Sequence, residues 1–178
     1  MPSQVEFRKD ASDWTVRDAR DGDLPAIVAI YNETIAGRSV TADLDPVTVE
    51  SRMDWFEAHR NTSLPIWVLS DANDGVLAWL SFDRFHARAA YAGTAMVALY
   101  VKAAHRRQGA GRHLLALAIR RAPALGLHTL LGYIFGHNQP SLTLFESRGF
   151  QRWGHFPRVA MMDEVERDLI IVGRRVAP

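Results

Sequence analysis

Residues 99–112 of this chain have the sequence LYVKAAHRRQGAGR, and this stretch decides the fold. Its apolar start is typical of a β-strand, and Gly109 and Gly111 precede a basic, amphipathic helix. A strand that leads through a glycine loop into a helix N-terminus presents several backbone N–H groups to a pyrophosphate. Glycine permits unusual backbone angles and keeps no side chain between loop and phosphate, while arginines add charge-assisted hydrogen bonds. A glycine turn before a helix with solvated arginines has the same pattern, so the loop alone leaves both interpretations open.

Two other phosphate-binding loops do not fit this stretch. A Walker A loop needs Gly-Lys-Ser/Thr, whereas Gly111 is followed by Arg112 and His113. A dinucleotide-binding loop opens the first βαβ unit, whereas this loop lies past the midpoint of the chain and follows strands that we predict to be antiparallel. Neither nucleotide class is therefore favoured.

The rest of the chain predicts an α/β (α+β) fold with the order β, α, α, three strands, α, β, α, β, β. Apolar residues recur at helical spacing where helices are predicted, and short apolar runs between turn residues mark the strands. Asp23, with Pro25 in the first turn, and Asp45, followed by Pro46, are predicted to begin the first two helices, and Gly37 to end the first. The predicted strands are 15–19, 66–70, 75–82, 94–101, 129–135 and segments within 150–155 and 165–173; the predicted helices are 24–36, 46–59, 109–125 and 140–147.

Composition restricts the class of protein. The 178 residues suit one domain, predicted over 14–178 after a flexible tail of residues 1–13, and the net charge of +1 argues against a nucleic-acid partner. The absence of cysteine excludes disulfides, Cys-based zinc sites and a thiol nucleophile. No metal site is expected, since His105 and His113 lack helical i, i+4 spacing and a carboxylate pair. Without a signal-like or membrane-spanning apolar run, we expect a cytoplasmic protein with no membrane contact.

A second block, NQPSLTLFESRGF at residues 138–150, gives the loop a family context. Arg106, Gly109 and Gly111 match the pattern (Gln/Arg)-x-x-Gly-x-(Gly/Ala), and together the two blocks resemble the acyl-CoA signature of GNAT acetyltransferases. The resemblance narrows to the phosphinothricin and methionine sulfone acetyltransferase group and covers nearly the whole chain from Thr15. Similar runs in that group correspond to residues 31–32, 40–43, 55–56, 79–82 and 88–101.

This resemblance implies the GNAT fold, a mostly antiparallel, twisted mixed sheet of six to seven strands with helices on both faces. Strands four and five would splay apart, and acetyl-CoA would be the cosubstrate. Its pantetheine arm would pair with the backbone of residues 99–101, and its pyrophosphate would lie on residues 107–112. The residues implied in cofactor binding are Leu99, Tyr100, Val101, Arg106, Arg107, Gln108, Gly109, Ala110, Gly111, Arg112, Asn138, Ser141 and Phe145. The resemblance also implies a homodimer.

The resemblance further implies direct transfer of the acetyl group to an amine in a ternary complex, with the Leu99 backbone N–H stabilising the oxyanion. Two proton-handling positions depart from the family pattern: Met96 stands where the group has a glutamate base, and Phe145 where a tyrosine or histidine acid is usual. Either another residue or a water is the base, or the acceptor amine is already largely neutral, or activity on the usual substrates is lost. His137 is a candidate substitute base, although a loop histidine is more often simply hydrogen-bonded.

The acceptor is expected to be a small amine. Residues proposed to contact it are Tyr31, Asn32, Thr41, His86, Arg88, Met96 and Val97, with Trp55 as a further candidate that equally suits the core. Three functions remain open: acetylation of an amino-acid-like α-amine, acetylation of a protein N-terminus or a polyamine, and a non-catalytic acyl-CoA-binding or sensing module.

Overall fold

The computed structural model describes residues 14–60 and 62–177, so the predicted tail of residues 1–13 lies outside the described part. Seven strands and four α-helices follow the predicted order. The strands are β1 Thr15–Asp18, β2 Ile66–Ser70, β3 Val76–Arg84, β4 Thr94–Val101, β5 Thr129–Phe135, β6 Gln151–Met162 and β7 Val165–Arg175. The helices are α1 Leu24–Asn32, α2 Val49–His59, α3 Ala110–Arg121 and α4 Gln139–Glu146.

The strands form one sheet in the order β1-β2-β3-β4-β5-β7-β6. Every neighbouring pair is antiparallel except β4 and β5, which are parallel. Residues 94–96 of β4 pair with residues 129–131 of β5, and the remaining residues of these two strands do not pair with each other. The predicted mixed sheet that splays between strands four and five is confirmed.

Helices cover both faces of the sheet. The larger core cluster lies under α3 and α4, with Leu114, Leu115 and Leu142 packed against β3, β4 and β5. The smaller cluster lies under α1 and α2, where Ile27 and Phe56 pack near Trp79 of β3. Burial of these apolar side chains drives the packing of both layers. The face under α1 and α2 is called the α1/α2 face below.

Several predicted boundaries are wrong. The helix predicted up to Gly37 ends at Asn32, and tighter i→i−3 hydrogen bonds continue to Arg38, which keeps the periodic Ile35 buried. The second helix is capped by Thr48, whose hydroxyl accepts from the Ser51 N–H, and not by Asp45.

The third wrong boundary concerns β6, which extends to Met162 instead of ending near His155. It stays paired with β7 across two irregularities, one of which includes Arg158 at φ 53°. Bulges of this kind let a strand continue past residues that break its alternation. Helix α3 also ends before its predicted end at residue 125, because the α-helix stops at Arg121 and a 3-10 turn carries the chain on to Gly126 at φ 77°.

Candidate active site

The free edge of β4 is the first element of the site. The Lys102 N–H donates to the Leu77 carbonyl at 2.9 Å, and the β3–β4 register runs without a shift from there. Because hydrogen-bonding direction alternates along a strand, the N–H groups of Leu99 and Val101 point away from β3, toward β5. Beyond Met96, β5 no longer pairs with β4. The backbone of Leu99 and Val101 therefore faces the gap between the splayed strands.

The glycine loop lies next to this edge. Gly109 adopts φ 97° as the N-cap of α3, a left-handed conformation that favours glycine, and a Cβ there would meet nothing within 4 Å. Among the described residues no side chain caps this helix start. The first N–H groups of α3, with the positive end of its dipole, are thus available to an anion.

Gly111 has a different part in the loop. A Cβ at this position would lie 3.4 Å from Leu144 and 3.5 Å from Leu99 and Val101, which is ordinary contact distance. The residue therefore brings the start of α3 against β4 and α4, and the space admits alanine as well as glycine. This tight seam fixes the position of the helix N-terminus beside the free edge of β4.

Side chains of the loop also hold it together. The Arg106 Nε donates to the Val101 carbonyl at 3.1 Å, and the Gln108 amide donates to the Ala104 carbonyl at 3.0 Å. Arg107 has φ 61° and is exposed, as is Arg112, whereas Ala110 is buried in the core. The structure thus gives Arg106 a role in the loop itself and leaves its neighbouring arginine side chains at the surface.

The residues of the second block, 138–150, that are predicted to contact the cofactor lie in different parts of the structure. Asn138 caps α4 by accepting from the Ser141 N–H at 3.2 Å, and its amide donates to the Ser39 carbonyl at 2.8 Å. Phe145 is buried beneath β5, where its ring packs against Phe150 with centroids 4.9 Å apart. Phe145 is thus part of the core.

His137 also binds the loop between α1 and α2. Its Nε2 donates to the Arg38 carbonyl at 2.8 Å, and its ring stacks on Phe135. A cleft of about 690 Å³ opens beside it, lined by Gly136, His137, Arg152, Trp153, Gly154, His155, Glu166, Arg167, Asp168 and Ile170. Of the residues predicted to form the site, His137 lines this cleft.

The α1/α2 face carries a polar cluster around Tyr31. Its hydroxyl is hydrogen-bonded to the Thr41 hydroxyl and donates to Asp43 at 2.6 Å. Arg52 binds Asp43 at 2.7 Å and covers the Tyr31 ring at 4.7 Å from its centroid. Burial, together with the hydrogen bond to Asp43, raises the pKa of Tyr31. Tyr31 and Thr41, both predicted to contact the acceptor, are therefore brought together as neutral hydroxyl groups.

The other predicted acceptor residues are more scattered. The Asn32 side chain bonds both the N–H and the carbonyl of Val47, at 3.0 and 2.9 Å, and so fixes the chain before α2. His86 accepts from the Arg88 N–H at 3.2 Å in the exposed loop after β3. In β4, Val97 is buried and Met96 is half-buried.

Sequence reasoning missed one group, formed by Asp83 and His59. Asp83 pairs with Met96 across β3 and β4, and its carboxylate lies 3.3 Å from the His59 Nε2. Trp55, which the sequence assigns equally to the core or to the acceptor pocket, donates its indole N–H to the same carboxylate at 3.1 Å. The predicted strand 75–82 stops one residue before Asp83, and its continuation to Arg84 in the structure places Asp83 opposite Met96.

The sequence of this chain is similar to those of known proteins. Residues 27–150 match the model of the Acetyltransferase (GNAT) family. The chain belongs to the GNAT family. It is 52% identical, over 92% of its length and 99% of the relative's, to a Bacillus subtilis protein provisionally named a phosphinothricin acetyltransferase. It is 35% identical, over 82% of its length and 84% of the relative's, to an L-methionine sulfoximine/L-methionine sulfone acetyltransferase of Pseudomonas paraeruginosa.

A solved GNAT structure with cofactor is also similar. A Salmonella typhimurium protein, provisionally named an acetyltransferase and solved with acetyl-CoA, superposes with a TM-score of 0.86 at 27% identity, over 93% of this chain and 95% of that one. This GNAT chain is an acetyl-CoA-dependent N-acetyltransferase. The uncapped start of α3, the left-handed Gly109 and the free edge of β4 fit such a cosubstrate, which offers phosphates and amide groups.

Residues 14–60 and 62–177 contain no helix that is both long and apolar enough to cross a bilayer. Nor do they contain a group of three or more His, Cys, Asp or Glu side chains arranged to hold a metal ion.

Proposed function

We propose that this enzyme transfers the acetyl group of acetyl-CoA to the amino group of a small amino-acid-like acceptor, of the phosphinothricin or methionine sulfone type. The observation that supports the transfer is the pair of backbone N–H groups of Leu99 and Val101, which point away from β3 beside the uncapped start of α3. The acceptor class is supported by the names of the two relatives described above.

The cosubstrate is proposed to bind along this edge and the glycine loop. The backbone of Leu99 and Val101 would pair with the pantetheine arm, and the N–H groups of residues 109–112 would bind the pyrophosphate, aided by the Arg107 and Arg112 side chains. Tyr100 contributes differently, because its N–H points toward β3 and its ring stacks on Trp79. When bound, acetyl-CoA supplies the activated thioester.

Arg106, Gln108, Ala110, Gly111, Asn138, Ser141 and Phe145 are proposed to support that site. Their hydrogen bonds and burial hold the loop, the start of α3 and the start of α4 in position. Substitution of these residues is therefore expected to affect binding of acetyl-CoA through the shape of the loop rather than through one lost contact.

The reaction is proposed to proceed by direct attack in a ternary complex. The amine nitrogen attacks the thioester carbonyl carbon, the Leu99 N–H stabilises the oxygen that gains negative charge, and the C–S bond then breaks. An oxyanion donor is worth roughly a hundredfold to a thousandfold in rate. The backbone supplies this donor, so among substitutions at position 99 proline alone removes it.

The acceptor is proposed to enter on the α1/α2 face. Tyr31 and Thr41 present hydroxyl groups there, and Met96 is half-buried on the same face. Arg88 and His86, in the loop after β3, would meet a carboxylate of the acceptor, while Asn32 would shape the pocket. Val97, also predicted to contact the acceptor, is buried in the core cluster under α3 and α4 and so lies on the opposite face of β4. His137 stays a candidate base, although its Nε2 is engaged by the Arg38 carbonyl.

Acetyl-CoA-dependent release of free thiol tests the proposal. Methionine sulfone, phosphinothricin and spermidine are offered as acceptors to wild type and to Met96→Glu. Saturable turnover with either amino-acid analogue is expected. Turnover with spermidine alone would overturn the acceptor class.

We further propose that the enzyme works as a homodimer in the cytoplasm, where acetyl-CoA is consumed. The dimer is supported by the edge strand β6, which exposes large apolar side chains along its length. Among them, Val159 and Met161 are each 58% exposed. An apolar, unpaired edge of this length normally pairs or is covered.

Sedimentation of wild type, Met161→Glu and the control Met53→Glu tests the dimer. Met53 is 51% exposed on α2, away from β6. We expect a dimer for wild type and the control, and a monomer for Met161→Glu. A wild-type monomer would contradict the proposed assembly.

A further inference from the structure

The starting point is the chemistry of the side chains around the proposed transfer site. An aliphatic amine is protonated at neutral pH and must lose a proton before it attacks a carbonyl carbon. On β4, the side chains that share the α1/α2 face near the free edge are Met96, Ala98 and Tyr100. A thioether and a methyl group cannot accept a proton at neutral pH, and burial raises the pKa of Tyr100 so that it stays neutral. The proton acceptor must come from another element.

Asp83 supplies the nearest carboxylate by register. It faces Met96 across β3 and β4, and the register has no shift between them. Directly opposed residues on one face of an antiparallel pair have Cβ atoms about 5 Å apart. The Asp83 side chain is 25% exposed, so it is held by the protein and still reached by a small molecule.

The hydrogen bonds of Asp83 leave it one place for a further donor. Oδ1 accepts from the Trp55 indole at 3.1 Å and lies 3.3 Å from the His59 Nε2. Oδ2 accepts from the Ser81 hydroxyl at 2.6 Å. Each carboxylate oxygen has two acceptor positions, so within the described chain one position of Oδ2 remains for an ammonium or a water.

His59 is arranged to take a proton. Its Nδ1 lies 2.7 Å from the Trp55 carbonyl, which can only accept, so Nδ1 carries hydrogen. Its Nε2 faces the Asp83 carboxylate, which in its ionised form also only accepts. Both ring nitrogens thus face acceptors, an arrangement that favours the imidazolium. The His59 side chain is 10% exposed, which keeps bulk water from competing for the pair.

We propose that Asp83 and His59 together are the proton acceptor for the acceptor amine. This inference rests on the proposed function. The ammonium gives its proton to Asp83 Oδ2. That proton then passes from the carboxyl group to His59 Nε2, which lies 3.3 Å from Oδ1, so that the pair ends as carboxylate and imidazolium. The neutral amine forms the N–C bond, the C–S bond breaks, and the thiolate takes the second nitrogen proton as the amide forms. The imidazolium then returns its proton to water.

In this scheme Asp83 is a catalytic residue and His59 a positioning residue that acts through it. Asp83 meets the amine directly, whereas His59 sets how readily the pair holds a proton. General base catalysis contributes about a hundredfold to ten-thousandfold. A loss of at least about a hundredfold in kcat/KM is therefore expected when the Asp83 carboxylate is removed.

The directions of the pKa shifts of His59 and Asp83 agree with this assignment. Burial works to lower the pKa of His59, but the hydrogen bonds with Asp83 and the Trp55 carbonyl outweigh it and the pKa is raised. Burial works to raise the pKa of Asp83, but hydrogen bonds from His59, Ser81 and Trp55 outweigh it and the pKa is lowered. Since only neutral His59 can accept a proton, kcat/KM should rise with pH through the raised pKa of His59.

Other ionisable groups also lie on the α1/α2 face. Tyr31 and Tyr100 have raised pKa values and stay neutral. Asp43 and Arg52 are paired at 2.7 Å. The His59→Gln variant therefore identifies whether the rising limb of the pH profile belongs to His59.

The experiment compares pH profiles of kcat/KM for wild type, Asp83→Asn and His59→Gln. Asp83→Asn is expected to lose about a hundredfold or more and to move the limb to lower pH, because burial alone lowers the pKa of His59. His59→Gln is expected to lack the limb. Asp168→Asn is the matched control, because it breaks another His–carboxylate pair, to His155 at 2.7 Å on the β6–β7 hairpin. It should leave the limb where it is.

Two further measurements separate catalysis from folding. Binding of acetyl-CoA by Asp83→Asn, measured by calorimetry, is expected to equal that of wild type. Addition of Met96→Glu to Asp83→Asn is expected to restore turnover, since it returns a carboxylate at the neighbouring register position. If Asp83→Asn is active and the rising limb of its pH profile lies at the same pH as in wild type, this inference is overturned while the proposed function stands. No turnover by wild type with any acceptor would overturn the proposed function and this inference with it.

Discussion

Replacement of Gly109 by alanine isolates the backbone requirement of the cofactor loop. A Cβ at position 109 would meet no atom within 4 Å, so the substitution creates no clash. Its cost comes from φ 97°, and a left-handed residue with a side chain costs about 1–2 kcal/mol. In the exposed loop we expect the free protein to relax out of this conformation, so that acetyl-CoA binding must restore it. Since 1.4 kcal/mol is tenfold, the dissociation constant should rise about 5- to 30-fold.

Gly126→Ala is the matched control for this substitution. Gly126 has φ 77°, and a Cβ there also meets nothing within 4 Å, but it ends the turn after α3 at the far end of that helix from the loop. Its cost should appear in stability, with a fall in Tm of about 2–8 °C, and not in acetyl-CoA binding. Calorimetry and thermal melts of both variants make the comparison. An unchanged dissociation constant for Gly109→Ala would refute the assignment of the loop to the cosubstrate.

Three further substitutions test the packing, capping and ionisation described above. Gly132→Ala should cost about 1–3 kcal/mol in urea unfolding, because its Cβ would lie 2.8 Å from the Phe145 ring; Phe145→Leu in the same chain should recover part of this loss. Thr48→Ala should cost about 1 kcal/mol in a thermal melt, because it removes the N-cap of α2, and an unchanged melt would contradict the cap. The raised pKa of His59 contributes stability below the ordinary histidine pKa of about 6.5, and that contribution is lost as pH rises through the raised value. The stability difference between wild type and Asp83→Asn should therefore shrink with rising pH in urea unfolding, and a constant difference would contradict the pair.

The buried strands were predictable from the sequence. The predicted bounds 66–70, 94–101 and 129–135 are those of β2, β4 and β5. Each is a short apolar run between turn residues, and each has partners on both sides, so local pattern and tertiary environment agree. The loop after β4 was predictable for the same reason, since Gly109 takes the left-handed conformation that its type favours.

Features set by distant contacts were not predictable. The end of α1 depends on the Asn32 side chain, which bonds the backbone of Val47 fifteen residues away. The length of β6 depends on its pairing with β7, because its own sequence contains Gly154 and Pro157 and exposes most of its side chains. Local pattern carries no information on either partner.

The Asp83–His59 pair was missed for a related reason. His59 follows the periodic part of α2, and Asp83 follows the apolar part of β3, so each is at the point where a local pattern ends. Only the register between β3 and β4 places Asp83 opposite Met96. Predictions that stop at family motifs therefore find the cofactor loop more readily than a charged residue one strand away.

The backbone groups and the side chains of β4 point in different directions, and this difference affects how such an enzyme can change during evolution. Its in-plane backbone groups at Leu99 and Val101 are proposed to serve the cosubstrate, while its side chains at Met96, Ala98 and Tyr100 point to the α1/α2 face. Mutation exchanges side chains and leaves backbone N–H groups in place, with proline as the exception. A lineage can therefore vary its acceptor through successive β4 substitutions while its use of acetyl-CoA is inherited intact.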